Sequence, residues 1–155
     1  MTLHVSKGLR NKTMDTDPVI TVMDGGFIFL YEGIVPDSAD ALIDPSVNVL
    51  AKVSVNGDGV TGLSFLPTAT EGTITKADEI WKSNSGSTYG GLVSFYRHIV
   101  DATDIAEEGK SASNTYPRLQ GAVGSTIEEL IMSDPNISTG AEQAINFYSV
   151  TFPTS

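Results

Sequence analysis

Few residues in this chain are of a kind that performs covalent or acid–base chemistry. It contains two histidines, His4 and His98, and no cysteine. Acyl transfer of the Ser-His-Asp kind needs an imidazole beside an activated hydroxyl. His4 lies in an N-terminal segment, and His98 lies inside an apolar run, where a lone histidine is most often a packed side chain. The sequence has no Gly-x-Ser-x-Gly elbow to hold a nucleophile. Asp15 and Asp17, and again Asp101 and Asp104, set carboxylates two or three residues apart. Neither pair has calcium-loop spacing, and turn or cap chemistry is the simpler role. Glu107, Glu108, Glu128 and Glu129 are candidate carboxylates for glycosidase-type pairing, but adjacent Glu128 and Glu129 would point to opposite faces of a strand. Asp24-Gly25-Gly26-Phe27 and Asn56-Gly57-Asp58-Gly59 read as turns, not as phosphate loops opening a helix. Trp81 and Tyr89 offer stacking faces to a sugar, against the commoner use of a single Trp in a core. No catalytic, cofactor-binding or metal-ligating residue is assigned, and an enzyme is the last choice.

With no constellation for turnover, the useful surface is expected to be an interface built on apolar and aromatic anchors. The elements that would carry it are mostly strands. Glycine, Ser, Thr, Val and Ile are common and long helical periodicities are absent, which suggests a β chain with many turns. The 155 residues fit one domain, residues 24–155, preceded by an N-terminal arm or short helix, residues 1–23. The formal net charge of −10 disfavours nucleic acid and anionic lipid as partners. It fits either solubility or an acidic patch facing a basic partner. No apolar run is long enough to span a bilayer, and the first ten residues lack the apolar block of a signal peptide.

The densest apolar stretch, residues 89–101, is expected to be a central strand covered on both faces. Phe27 to Tyr31 is apolar at every position and carries the same expectation. Val47 to Val55 alternates as a half-buried strand, and Asn56-Gly57 predicts a tight hairpin with residues 60–66 returning beside it. Further strands are expected at 73–75, 79–81, 118–123, 128–132 and 144–152, with a Ser/Gly turn at 84–88. Residues 102–116 read as an acidic loop long enough to be mobile.

The order of several segments resembles a widespread set of small tailed-bacteriophage virion structural proteins. The segments are Gly25-Gly26 with the strand Phe27 to Tyr31, the loop Pro36-Asp37-Ser38-Ala39-Asp40, Phe95-Tyr96-Arg97 to Asp101, Gly121-Ala122-Val123-Gly124, and the closing stretch from Glu129 to Pro153. The enlarged loop at 102–116 and an extra residue in Phe95 to Ile99, read as a bulge, depart from that pattern. The resemblance implies a non-catalytic virion protein, mostly β, with an antiparallel β-sandwich (jelly-roll-like) fold. Size, acidity and the N-terminal arm favour a head decoration (cement) protein that binds the capsid exterior after synthesis in the bacterial host cytoplasm. Its partner would be the major capsid protein, bridged by a homo-oligomer, for which a trimer would suit quasi-threefold positions. The alternatives are a head–tail connector or tail component, and a carbohydrate-binding β-sandwich module. The expected interface residues are Leu3, Val5, Leu9 and Met14 in the arm, with Phe27, Phe29, Tyr31, Trp81 and Tyr116. The expected contact segments are residues 1–23 and 102–116.

Overall fold

The computed structural model describes residues 3–84, 89–124, 130–132 and 134–151. Its elements are β1 (His4–Val5), α1 (Lys7–Asp15), α2 (Val19–Met23), β2 (Phe27–Tyr31), β3 (Val49–Val55), β4 (Thr73–Thr75), β5 (Trp81–Ser83), β6 (Gly91–Leu92), β7 (Phe95–Ile99), α3 (Ala102–Ala106), β8 (Arg118–Gly124), β9 (Leu130–Met132), β10 (Asn136–Ile137) and β11 (Ala144–Thr151). The chain is mostly β, but it is not a two-sheet antiparallel sandwich. Strands pair in the order β8-β7-β2-β3-β5-β11, and β9 joins β11 back to β8, so seven strands close a barrel. The closing contact is parallel, Val123 opposite Leu130 and Gly124 opposite Ile131, which makes the barrel mixed. The predicted turn at 84–88 lies outside the described residues from 85 on, as do Glu128 and Glu129 of the expected 128–132 strand and residue 152 of the last one.

Alternation along the strands divides the side chains between two cores. Ile28 and Leu30 of β2, Tyr96 of β7 and Leu119 of β8 join the main core, which fills the barrel with Trp81, Leu130, Ile145 and Tyr148. Phe29 and Tyr31, Phe95 and Ile99 take the other parity and build a second core outside the barrel wall, with Ile43. Tyr31 and Phe95 are cross-strand partners with stacked rings 4.8 Å apart. Full apolarity of β2 is therefore explained by cover on both faces. β3 holds a shift that simple alternation hides: Tyr31 pairs with Val49 and Leu30 with Ala51, leaving Leu50 between them. That bulge puts Val49 against the outer core and Ala51 in the inner one, although they share parity in the sequence. β7, by contrast, pairs without a shift on both sides, so the bulge expected within Phe95 to Ile99 is absent.

The structure settles three other expectations. The Asn56-Gly57 turn forms, with positive φ at both residues, but no strand returns along β3, whose neighbours are β2 and β5. Residues 60–66 instead cross towards the start of β2, where Leu63 N donates to Gly26 O at 2.8 Å and Leu63 and Phe65 are buried. Gly62 is required there because a Cβ would sit 2.1 Å from Gly25 O. Secondly, of the arm or short helix expected at the N-terminus the helix forms, as α1, and residues 3–23 pack on the body. β1 pairs with β8. Ser6 caps α1 by accepting from Leu9 N at 3.1 Å and donates to Tyr116 O at 2.8 Å, while Leu9 and Met23 are fully buried in the main core.

Thirdly, residues 102–116 are held in place. Asp101 caps α3, accepting from Thr103 N at 2.9 Å and Asp104 N at 3.3 Å. Gly109, at positive φ, packs where a Cβ would lie 2.7 Å from the Tyr31 hydroxyl. The fastening comes from the outward parity of β7 and β8. Arg97 Nε donates to Gln120 Oε1 at 2.8 Å, and its other nitrogens donate to Gly109 O at 2.6 Å, Ser38 O at 3.2 Å and Ala41 O at 2.7 Å. Arg118 donates to both oxygens of Asp104, at 2.8 and 2.7 Å, and to Ala39 O and Ser111 O at 3.0 and 2.8 Å. Gln120 Nε2 donates to Pro36 O at 2.8 Å. Two buried guanidinium groups thus tie the 33–46 and 101–116 segments to the barrel wall and to each other.

Arg118→Ala would strand the Asp104 carboxylate in the interior. It is expected to lower stability by about 3–5 kcal/mol in urea unfolding and to open residues 101–116 to limited proteolysis. A loss under about 1 kcal/mol, at the level of a surface pair, would show that this arginine does not hold the segment.

Candidate functional site

His98, the one central residue suited to proton transfer, is fully buried beside Phe65 and Tyr148. Its Nδ1 lies 3.4 Å from the Tyr148 hydroxyl, while Nε2 makes no hydrogen bond of ordinary geometry. Burial drives its pKa down to about 3, and the nearby Met23 backbone opposes this only weakly. The imidazole is neutral at physiological pH and has no path to solvent. Arg97 is also drawn down, to about 10, by burial and then by the charge of Arg118, and it stays protonated. Burial raises the Tyr31 phenol, whose hydroxyl donates to Glu108 O at 2.6 Å. Asp101 and Asp104 serve as helix cap and arginine partner, and Asp15 and Asp17 are exposed. Among the described residues no group of three His, Asp or Glu side chains converges as metal ligands.

Among the hollows of the described surface, two stand out. One is an apolar groove of about 230 Å³ between α2, residues 69–72 and the β4–β11 pair, lined by Pro18, Val19, Ile20, Ile74 and Val150. The other, about 270 Å³, is an open dent between Leu66, Lys76, Asp78 and Phe147. The first has no titratable group in its lining. In the second, Lys76 already donates to Ala77 O and Glu79 O.

The expected interface residues fall into three groups. Leu9, Phe29, Tyr31 and Trp81 are buried core residues, at 0–4% exposure, and cannot meet a partner. Trp81 is thereby also lost as a sugar platform; its indole N–H donates to Glu79 at 2.8 Å. Leu3 and Val5 are half-buried against the barrel core and Phe27 against the outer core, with the Lys52 ammonium 4.0 Å above the Phe27 ring. Tyr116 is half-buried beside Arg118. Desolvation, then the negative field of Glu107, Asp101 and Asp104, pushes its phenol up. Met14 alone of the nine is freely exposed.

The aliphatic side chains that do face water are not among those nine. Ile34 is 91% exposed and Val60 80%, and Leu42, Ile80 and Leu92 are also exposed. Ile34 and Leu42 belong to the clamped outer layer. Sequence alone hides this, because an isolated Ile or Leu in a loop reads as ordinary surface. Of the missed structural set, Arg97, Arg118 and Gln120 left one signal, charged and amide groups at the outward positions of β7 and β8, while their partner Asp104 on α3 left none.

No protein-family model, curated protein or solved structure matches the chain. No helix of the described residues is long and apolar enough to cross a membrane.

The His98 environment has a pH signature. The folded pKa lies below the unfolded value, so the protonated ring is disfavoured in the fold. Its contribution is fully present above about pH 6.5 and is lost as the pH falls towards 3, at about 1.4 kcal/mol per pH unit. His98→Gln is expected to show a shallower fall in urea midpoint between pH 7 and 4 than the parent. Parallel curves would mean that the ring is not the buried acid-labile group.

Proposed function

We propose that this chain is a non-catalytic binding protein of a virus particle: a tailed-bacteriophage head decoration (cement) protein that docks on the capsid exterior and bridges capsid subunits. The observation that carries this reading is how its polar side chains are used. His98 and Arg97 of β7, Arg118 of β8 and Asp104 of α3 are buried and committed to packing or to fastening loops. Meanwhile large aliphatic side chains stand out on a fixed surface. An arrangement of that kind favours recognition over turnover. The ordered sequence segments that resemble virion proteins supply the particle. Acidity supports an outer position, since a net charge of −10 is ill placed against packaged DNA. The partner is the major capsid protein, and the bound form is a symmetric homo-oligomer, with a trimer suited to threefold junctions. A ligand that binds the assembled lattice and not free subunits stabilises the lattice by mass action.

The test is to purify particles of the phage that encodes the chain, quantify it by mass spectrometry, and heat particles with and without it. Hundreds of copies, and earlier release of DNA from particles that lack it, are the expected results. About six or twelve copies would mark a connector or tail ring instead, and complete absence from particles would end the reading.

A further inference from the structure

The segments held by the arginine clamp form one layer over the barrel wall. Ile43 N donates to Lys110 O at 2.8 Å and Ser113 N to Asp40 O at 3.0 Å, so residues 36–43 and 109–113 run side by side. This layer carries most of the molecule's charge. Residues 33–46 and 101–116 contain seven acids and one lysine, a net −6 of the chain's −10 in fewer than a fifth of its residues. Asp104 is neutralised by Arg118 underneath. Asp37, Asp44, Glu107 and Glu108 are exposed, and Asp40 and Asp101 half-exposed. An acidic face of this kind is, taken alone, only a solvated surface.

A second feature separates it from one. Ile34 and Leu42 project from the layer at 91% and 59% exposure, and the backbone on each side of them is fixed. Gly33 O accepts from Ser94 Oγ at 2.7 Å and Pro36 O from Gln120 Nε2 at 2.8 Å, on either side of Ile34. Ala41 O accepts from Arg97 at 2.7 Å and Ile43 N is bonded to Lys110, on either side of Leu42. Their exposure is built into the loop. Anchors held this way lose little conformational entropy on docking.

Resting on the particle reading above, we infer that this clamped layer is the docking face, and that its partner is a protein surface with lysines or arginines around apolar hollows that receive Leu42 and Ile34. Charge decides among occupants. A second copy of the chain would bring like charge against like charge, which costs affinity. Nucleic acid and anionic lipid are repelled for the same reason. A small cation would satisfy the carboxylates but gives the two aliphatic side chains nothing to enter.

Two experiments test this on the intact assembly. Zero-length carbodiimide cross-linking of purified particles is expected to join Asp37, Asp44, Glu107 or Glu108 to lysines of another virion protein. Rebinding of the purified chain to particles stripped of it is expected to weaken at least tenfold for the double variant Ile34→Ser, Leu42→Ser. For Asp37→Asn, Glu107→Gln, Glu108→Gln, binding should weaken severalfold and depend less on salt. Val60→Ser with Ile80→Ser, outside the layer, should bind within about twofold of the parent. All these side chains are exposed, so unchanged melting temperatures verify folding. If the parent binds and the layer variants bind equally well, the docking face is wrong while the particle reading stands. Cross-links running only from Asp58, Glu71 or Asp78 would equally place the docking face elsewhere. If the layer variants alter self-association of the free chain, the face belongs to a second copy and the inference is overturned. If the parent itself fails to bind, the particle reading falls and takes this inference with it.

Discussion

Two arginines buried against the outside of a β-barrel are the constraint that organises this molecule. A guanidinium group taken out of water must recover its hydration from fixed acceptors. Arg97 does so with three backbone carbonyls and an amide, and Arg118 with one carboxylate and two carbonyls. The carbonyls come from two segments far apart in sequence. Satisfying the arginines therefore requires both segments to lie against β7 and β8 in one arrangement. The outer apolar core of Phe29, Tyr31, Phe95 and Ile99 is sealed by the same act. Few short loops fold against a sheet on apolar burial alone; here polar saturation fixes their geometry and apolar burial supplies the driving force.

This constraint also shapes the surface. Loops fastened through backbone carbonyls leave their side chains free to vary without loss of the loop path. The carboxylates of Asp37, Asp44, Glu107 and Glu108 and the side chains of Ile34 and Leu42 are such groups. The layer resembles a binding loop on a rigid scaffold, with the scaffold's polar network beneath it in place of a disulfide or metal. His98 lies on the opposite side of the same strand and obeys the opposite rule. It faces a core that offers it little compensation, so it remains neutral.

Local order was largely legible in the sequence and closure was not. β2 was bounded correctly, and its uniform apolarity correctly implied cover on both faces, because strand parity is a local property. β3, β8 and β11 were placed within a residue or two for the same reason. The Asn-Gly turn was also right in its backbone angles. The path beyond a turn is set by tertiary contacts, and residues 60–66 found a better burial site at the barrel end than beside β3. The parallel contact of β8 with β9 is invisible to any short window, and the sandwich implied by the resemblance gives way to a mixed barrel. The clamp was missed because charged residues count as surface until partners are known. The expected interface fails for the converse reason: Leu9, Phe29, Tyr31 and Trp81 are large and apolar, the very property that buries them.

Barrel closure finally limits how such a protein can associate. An open sheet can recruit a partner by lending a strand edge, with affinity supplied by main-chain hydrogen bonds. Here each strand of the seven-strand ring is paired on both sides, and β1, the strand nearest the N-terminus, is spent on β8 of its own chain. Backbone pairing is thus consumed within the ring, while β1, β4 and the β6–β10 pair each keep an outer edge. Loop side chains are the other surface such a fold can offer, and loops serve a partner well only when their ordering is achieved before it arrives. The buried arginines achieve it. The ring closes its edges and the layer over it holds its loops still; both features, which look unrelated in the sequence, follow from satisfying buried polar groups within the chain.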